Sequence, residues 1–452
     1  MAGVPGAILH GMTSAQESSP VRLLIVGAGS RGSGYGRYAV GTGRAVVTGF
    51  ADPDPRRFAD AAREHPGAAG FTDWRDLAAA GVGADAVVIA TQDADHLEPA
   101  LAFAAAGLHI LLEKPMATNE ADARRIVEAV RRADVLLAVC HVLRYTAYTA
   151  GVKAVVESGL LGEIVAVQHL EPVGWWHQAH SFVRGNWRRE DRGVPMLLAK
   201  SGHDLDWLSF VVGRRVRKVS SFGGLQHFRP ENRPEGATDN CLDCPVEPQC
   251  PYSAPRLYLD VLATSLAEGD TGTGTGTGTD TGSAAPRLHW PLSVVTGEPT
   301  RAAVLDALRE GPYGRCVYGC DNDVVDHQVV NLEYEGGATA SFTMTAFTAM
   351  GPRRTRIFGT HGQLEGDGST ATVTDFRTGA TTVHDLEADP DSAAGGHGEG
   401  DDRLVDAFLA AVSSGDRTLI RSDPETSLEA HLTAWAAERA RHNSTVEYPW
   451  GV

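Results

Sequence analysis

The chain has 452 residues, 42% of them hydrophobic and 21% charged, which suits a soluble globular protein of about two or three domains with ample length for a large core. Its formal charge of −17, with no basic run anywhere, excludes nucleic acid and an anionic membrane surface as partners, because both would repel it. No apolar stretch is long enough to span a bilayer, and residues 1–20 lack the pattern of a secretory signal, so they read as a flexible extension on a cytoplasmic protein.

Val21, Leu23, Leu24, Ile25 and Val26 form a short apolar run, the pattern of a strand buried on both faces of a parallel sheet. It runs straight into Gly27-Ala28-Gly29-Ser30-Arg31-Gly32, a G-x-G-x-x-G. Gly27 permits the tight turn, Gly29 lets backbone amides approach a pyrophosphate, and Gly32 lets the next helix pack close and point its N-terminus at the phosphates. A second apolar strand, Ala45 to Phe50, ends at Asp52, at the distance where an acid hydrogen-bonds an adenosine ribose. The competing reading is an ordinary strand-to-helix turn with a capping Asp.

Strand and helix patterns then alternate. Helical spacing covers Pro53 to Glu64 and Phe71 to Ala80, and Ala86 to Ala90 is a third buried strand followed by Thr91-Gln92. Pro99 to Gly107 is a helix, Leu108 to Leu112 a strand ending in Glu113-Lys114-Pro115, Glu120 to Asp134 a helix, and Val135 to Val139 a strand ending at Cys140-His141. This alternation predicts an α/β doubly wound parallel sheet over 21–145, with ligands at the carboxyl ends of its strands. Beyond the helix Tyr148 to Ser158, long and often alternating strands predominate: Ile164 to Leu170, Val216 to Phe222, His327 to Tyr334, Ala338 to Phe347, Arg354 to Gly359 and Ala371 to Asp375. They predict an α+β domain over 146–452 with a large, open, mainly antiparallel sheet. Within it, about residues 268–286 carry a Thr-Gly repeat that cannot bury apolar surface and reads as a disordered loop, and helical spacing returns over 402–441.

Two segments can carry chemistry. Glu113-Lys114-Pro115 leaves a buried strand toward the cofactor crevice, where Pro115 could sit in a cis peptide and Lys114 could polarise a substrate hydroxyl; a solvated Glu-Lys pair is the alternative. Lys200-Ser201-Gly202-His203-Asp204-Leu205-Asp206 follows the apolar run Val194 to Ala199 and starts a helix, placing His203 near its N-terminus with Asp204 or Asp206 to orient the ring. An imidazole suits the removal of a hydroxyl proton, although a lone His can equally be a packed core residue.

In order and spacing, the glycine turn, Glu113-Lys114-Pro115 and Gly202-His203-x-x-Asp206 resemble the glucose–fructose oxidoreductase, inositol dehydrogenase and MocA family over nearly all the chain beyond residue 20. The resemblance implies a Rossmann domain followed by an α+β substrate and oligomerisation domain, and a homodimer or homotetramer. It implies hydride transfer between a nicotinamide cofactor and a hydroxyl carbon of a sugar, sugar derivative or cyclitol, with Lys114 as catalytic lysine and His203 as active-site histidine. Many relatives carry Asp four residues before that histidine; here the position is Ala199, and the adjacent Lys200 is a candidate to bind or polarise substrate. Two alternatives stay open: an NAD-dependent glycosidase acting by transient oxidation and elimination, and a cofactor-binding sensor without turnover.

The expected cofactor contacts are Gly27, Ala28, Gly29, Ser30, Arg31, Gly32, Asp52, Thr91, Gln92, His96, Glu113 and Lys114. Asp52 favours NAD because a carboxylate repels a 2′-phosphate, while Arg56 and Arg57 leave NADP open. The aromatic stretch from Trp175 offers flat rings and hydrogen-bonding groups for a carbohydrate, so Trp176, His177, His180, Arg184, Asn186 and Trp187 join Arg144, Tyr145, Lys200 and His203 as substrate-binding candidates. A structural loop with core tryptophans is the alternative. Finally, Cys241-x-x-Cys244 and Cys250 have the spacing of metal-binding thiolates, with Cys320 preferred over Cys316 as the fourth ligand of a structural zinc; free thiols or transient redox pairs compete with that reading.

Overall fold

The structure is a computed structural model and describes residues 19–267, 288–386 and 398–451. Most of the expected N-terminal extension and the Thr-Gly repeat lie outside the described residues. Six parallel strands form the first sheet: β1 (Val21–Val26), β2 (Ala45–Ala51), β3 (Ala69–Phe71), β4 (Ala86–Ile89), β5 (His109–Leu112) and β6 (Leu137–Val139). Their order, β3-β2-β1-β4-β5-β6, reverses direction beside β1, which opens a crevice at the carboxyl ends of β1 and β4. Local signals set the helix ends. Asp54 and Asn119 cap the helices Pro55–Glu64 and Glu120–Ala133 with side-chain oxygens on the first-turn amides, and Asp134 ends the latter in a left-handed conformation.

The second sheet has eight strands: β7 (Ile164–Pro172), β8 (Val216–Gly224), β9 (His327–Tyr334), β10 (Thr339–Thr345), β11 (Arg354–Gly359), β12 (Gly362–Gly366), β13 (Thr370–Asp375) and β14 (Thr381–Asp385). In the order β14-β13-β12-β11-β7-β10-β9-β8, only β7 and β10 run parallel. The architecture is thus the doubly wound sheet followed by a large, mainly antiparallel one. Strands β3, β12 and β14 escape the sequence pattern because they are short, glycine-bearing or edge strands with mostly exposed side chains.

The helix Met196–Val212 packs against β7, β10 and the helix Pro424–Asn443, and is buried nearly all round. It begins at Met196, so it absorbs the run expected to precede it, and His203 sits about two turns inside rather than at the N-terminus. Ser201-Gly202 looks like a helix start, whereas the true start after Pro195 has no side-chain cap. The last segments return to the first sheet. Leu404, Val405 and Phe408 of the helix Gly398–Ser414 share a buried cluster with Val21, Leu23 and Ile25 of β1. No helix among the described residues is long and apolar enough to cross a membrane.

Candidate active site

The glycine turn is built for close approach. Gly27 has φ +89°, and a Cβ on Gly32 would stand 2.0 Å from the Gly27 carbonyl oxygen, so both positions admit only glycine. The helix Ser30–Gly41 starts after Gly29 with no side-chain cap and no acidic residue in its first turn, leaving its amides to an anionic group. Asp52 is buried at the end of β2, and its carboxylate accepts from the backbone N–H groups of Ala28 (2.8 Å) and Asp54 (2.8 Å). A carboxylate has further lone pairs, so these two bonds leave acceptor capacity for ribose hydroxyls. The Arg57 guanidinium reaches over the turn, 3.7 Å from where a Cβ on Gly29 would be. These residues fit a dinucleotide.

Arg31 turns from the helix start toward the neighbouring strand end. Its guanidinium donates to Glu113 (2.5 Å) and, through two nitrogens, to Asp401 (2.7 Å each). Burial pushes the Glu113 carboxyl up, but the Arg31 charge and hydrogen bond, with Lys114, more than offset this and hold it below its ordinary range. Thr91 and Gln92 follow β4 at the crevice, the Thr91 hydroxyl donating to the Asp95 carbonyl (3.1 Å).

The Lys114–Pro115 peptide is cis, as expected. Three histidines surround this turn, two of which sequence reasoning missed. His96 is fully buried, with Nδ1 2.8 Å from the Pro115 carbonyl and Nε2 3.3 Å from that of Thr91, so it clamps the turn rather than facing a ligand. His431, on the C-terminal helix, accepts at Nε2 from Met116 N–H (2.8 Å) and donates from Nδ1 to the Ser427 carbonyl (2.7 Å). His141 lies 6.0 Å from His203 and 5.6 Å from His431, ring centre to ring centre, both edge to face. Burial, then the charges of Arg144 and Lys114, push its pKa well down. The signal for His141 was its place straight after β6; His431 had none, being far away in sequence.

Lys114 Nζ donates to the main-chain carbonyl of Ala199, one turn before His203 on the same helix. Burial lowers its pKa, Glu113 and Asp93 oppose this, and Lys200 adds to the lowering. Lys114, His203, His141 and Lys200 therefore share one buried neighbourhood. The two aspartates expected to orient His203 are committed to other partners. Asp204 pairs with Arg353 and with His169 Nε2 (3.1 Å), and Asp206 forms a two-point bridge to Arg144 (2.7 Å and 2.7 Å). Lys200 pairs with Glu171 (3.1 Å), which also holds Arg353 (3.0 Å).

Several substrate candidates serve the scaffold. Arg144 is 4% exposed, and besides Asp206 it holds the Arg421 carbonyl and the Thr426 hydroxyl. The Tyr145 hydroxyl accepts from the Arg421 and Ser422 amides. His180 is buried, stacked on Tyr313 (4.9 Å) and bonded to the Tyr258 hydroxyl (2.7 Å). Arg184 is buried among Arg315, Tyr252 and Cys241, remote from the crevice. The reason is local: the chain from Gln178 to Arg184 is a π-helical segment buried along its length, so its polar groups face the protein. The ends of the stretch are different. His177 is only half-buried, among Trp176, Phe182 and Trp290, and burial followed by the charges of Lys200, His180 and Lys114 drives its pKa well down. Trp187 and Asn186 are exposed, and Trp187 Nε1 donates across the crevice to Asp93 (3.1 Å).

All six cysteines are free thiols. Cys241, Cys244, Cys250 and Cys316 line one small cavity, whereas Cys320, the expected fourth ligand, turns its thiol to the Cys316 carbonyl (3.3 Å).

Residues 21–141 match the family model described as an oxidoreductase family NAD-binding Rossmann fold, and residues 153–448 match its C-terminal alpha/beta domain. The chain is 24% identical over 331 residues to YteT, an oxidoreductase of Bacillus subtilis, covering 71% of this chain and 69% of that one. It is 36% identical over 206 residues to inositol 2-dehydrogenase of Corynebacterium glutamicum, covering 45% of this chain and 57% of the relative. An oxidoreductase from Agrobacterium radiobacter, solved with NAD+, L-tartaric acid and magnesium, shares the fold at TM-score 0.65 and 16% identity, over 95% of this chain and 98% of that one. With both halves matched in order around the glycine turn and the Lys114–His203 cluster, the chain belongs to the Gfo/Idh/MocA family of NAD-binding oxidoreductases.

Proposed function

We propose that the protein transfers hydride between NAD(H) and a carbinol carbon of a cyclitol, sugar or sugar derivative. The observation that carries this reading is the placement of Lys114 against the helix of His203, at the carboxyl end of β5 beside the glycine turn. The bound nicotinamide would supply the hydride acceptor. His203 takes the hydroxyl proton on a ring nitrogen, and Lys114 Nζ, held by the Ala199 carbonyl, donates to the same oxygen and stabilises the developing charge.

Gly27 to Gly32 would hold the pyrophosphate, Asp52 the adenosine ribose, and Arg31 would fix Glu113 beneath the nicotinamide end. Lys200, His177, Trp176, Asn186 and Trp187 would form the substrate wall. The likeness to inositol 2-dehydrogenase over 206 residues favours a cyclitol. The open face of the eight-stranded sheet exposes Val165, Phe222 and Val383, and a homo-oligomer through that face completes the reading.

The test is to mix the protein with NAD and matched cyclitols, free sugars and glycosides, following nicotinamide absorbance and aglycone release together. Lasting NADH with a cyclitol or free sugar is expected. Aglycone release that requires NAD yet accumulates no NADH would replace this reading with the glycosidase one. Tight binding with no turnover of any compound in either direction would replace it with a sensor.

A further inference from the structure

The insertion between β8 and β9 carries the cysteine cavity, which the reaction above does not use. An antiparallel bridge between Asn240 and Arg315, with Cys316 N–H donating to the Asp239 carbonyl (2.8 Å), places Cys316 beside Cys241 although 75 positions separate them in sequence. Two short turns, Cys241–Asp243 and Glu247–Gln249, bring Cys244 and Cys250 to the same wall. The cavity has room for about 20 Å³, on the scale of a single water-sized particle and too small for an iron–sulfur cluster.

A second observation concerns charge. Arg184 also lines this cavity and is 1% exposed. It donates to the Arg315 carbonyl (2.8 Å), the Tyr252 carbonyl (2.8 Å) and Cys241 Sγ (3.5 Å), and its Nη1 is buried with no partner. Among the described residues no carboxylate forms an ion pair with it. A buried guanidinium facing neutral thiols is electrostatically incomplete, because a buried charge requires a counter-charge. Four thiolates around one divalent ion carry a net charge of −2 and supply it.

We infer that Cys241, Cys244, Cys250 and Cys316 hold one structural zinc ion, with Arg184 as its buried counter-charge. Four thiolates close the coordination shell, so the ion is structural and takes no part in hydride transfer. Among the described residues the only trio of ligand atoms all within 4.8 Å is Glu190, Glu438 and His442, so the four sulfurs line the cavity without converging. Tetrahedral zinc, with Zn–S of about 2.3 Å, would draw the thiols inward around the ion. The bound metal would tie the insertion to Arg184, at one end of the π-helical segment whose other end adjoins His177.

The test is metal content by plasma mass spectrometry on full-length protein purified without a metal-chelating tag, with Cys316→Ser and Cys320→Ser alongside. One zinc per chain is expected in the unmodified protein and in C320S, with loss in C316S. Should C316S fail to fold, cobalt substitution of the unmodified protein decides: tetrathiolate cobalt gives intense thiolate-to-metal charge transfer and tetrahedral ligand-field bands. The inference is overturned by protein that binds neither zinc nor cobalt, by disulfides among these four cysteines in freshly purified protein, or by zinc retained in C316S and lost in C320S.

Discussion

Lys114 is held by the carbonyl of Ala199, one turn before His203, so the proposed catalytic lysine is oriented by the backbone of the helix that carries the proposed base. No side chain at position 199 is needed for this. Lys114→Met should lower kcat about 10²- to 10⁴-fold, the range for losing a positioned proton donor, with a smaller effect on NAD affinity. The pH profile is a sharper check. Because burial lowers the Lys114 pKa, its charged, donating form is lost as pH rises at values below the ordinary ~10.4, and kcat/KM for alcohol oxidation should bend down there. Lys114→Arg should remove that alkaline limb; an unchanged limb would place the titration on another group.

Gly32→Ala should weaken dinucleotide binding, because its Cβ would stand 2.0 Å from the Gly27 carbonyl oxygen and one of the two backbones must move. Strain of about 1–3 kcal/mol corresponds to roughly a 5- to 150-fold loss of affinity, read by isothermal titration with NAD. Near-normal binding by this variant would count against a pyrophosphate seat here.

In the proposed reading, Asp52 and Arg57 pull the cofactor choice in opposite directions. Asp52→Ser removes the negative charge beside the adenosine ribose, and Arg57 is already over the turn. The ratio of kcat/KM for NAD to that for NADP should fall by about tenfold or more, equivalent to ~1.4 kcal/mol. A ratio that stays constant would mean that Asp52 only braces the Ala28 and Asp54 amides.

Arg144 and Asp206 form a buried pair that links the β6 end to the helix Met196–Val212. Arg144→Met strands a buried carboxylate and should destabilise the fold by about 3–5 kcal/mol in urea titration, with the double variant Arg144→Met, Asp206→Met recovering much of this. KM measured on the folded fraction should change little. A large KM increase without loss of stability would return Arg144 to the substrate wall.

His431 gives a pH signature to stability. Burial, then the nearby His141, lower its pKa to about 3. An unfolded imidazole protonates near pH ~6.5, so between there and about 3 the unfolded chain binds a proton that the native chain does not. The stability from this residue is complete above pH ~6.5 and falls with pH, by at most about 1.4 kcal/mol per pH unit. His431→Gln keeps an acceptor for Met116 and removes the titration, so its urea midpoint should drop less between pH 7 and pH 5 than that of the unmodified protein.

Both sheets, the glycine turn and the turn after β5 were legible because each depends on local pattern: apolar runs, a glycine spacing, a strand end. The depth of His203 in its helix was not, because Ser201-Gly202 imitates a helix start. The partners of polar residues were not. Whether Arg144 meets substrate or Asp206, and whether Arg184 faces the crevice or the cysteines, depends on which side of a buried segment each residue occupies. Nothing in the aromatic stretch showed that its middle would be a buried π-helical turn. Which later cysteine joins Cys241, Cys244 and Cys250 at their cavity was illegible for a similar reason, since the bridge between Asn240 and Arg315 brings Cys316 there, and that pairing spans most of the insertion.

The last helix places His431 on the Met116 amide, and just before it the Ser422 carbonyl accepts from Val139 N–H (3.0 Å). A ribosome making this chain therefore finishes the nucleotide-binding half long before the groups that brace it exist. Until residues 398–443 emerge, the apolar patch awaiting Leu404, Val405 and Phe408 stays open to water, as does the unsupported turn after Lys114. Such a half-made sheet is a natural client for chaperones. The turn that carries Lys114 is in effect set by nearly the final act of translation, so a premature stop within the last helix removes the brace on that turn as well as the end of the chain.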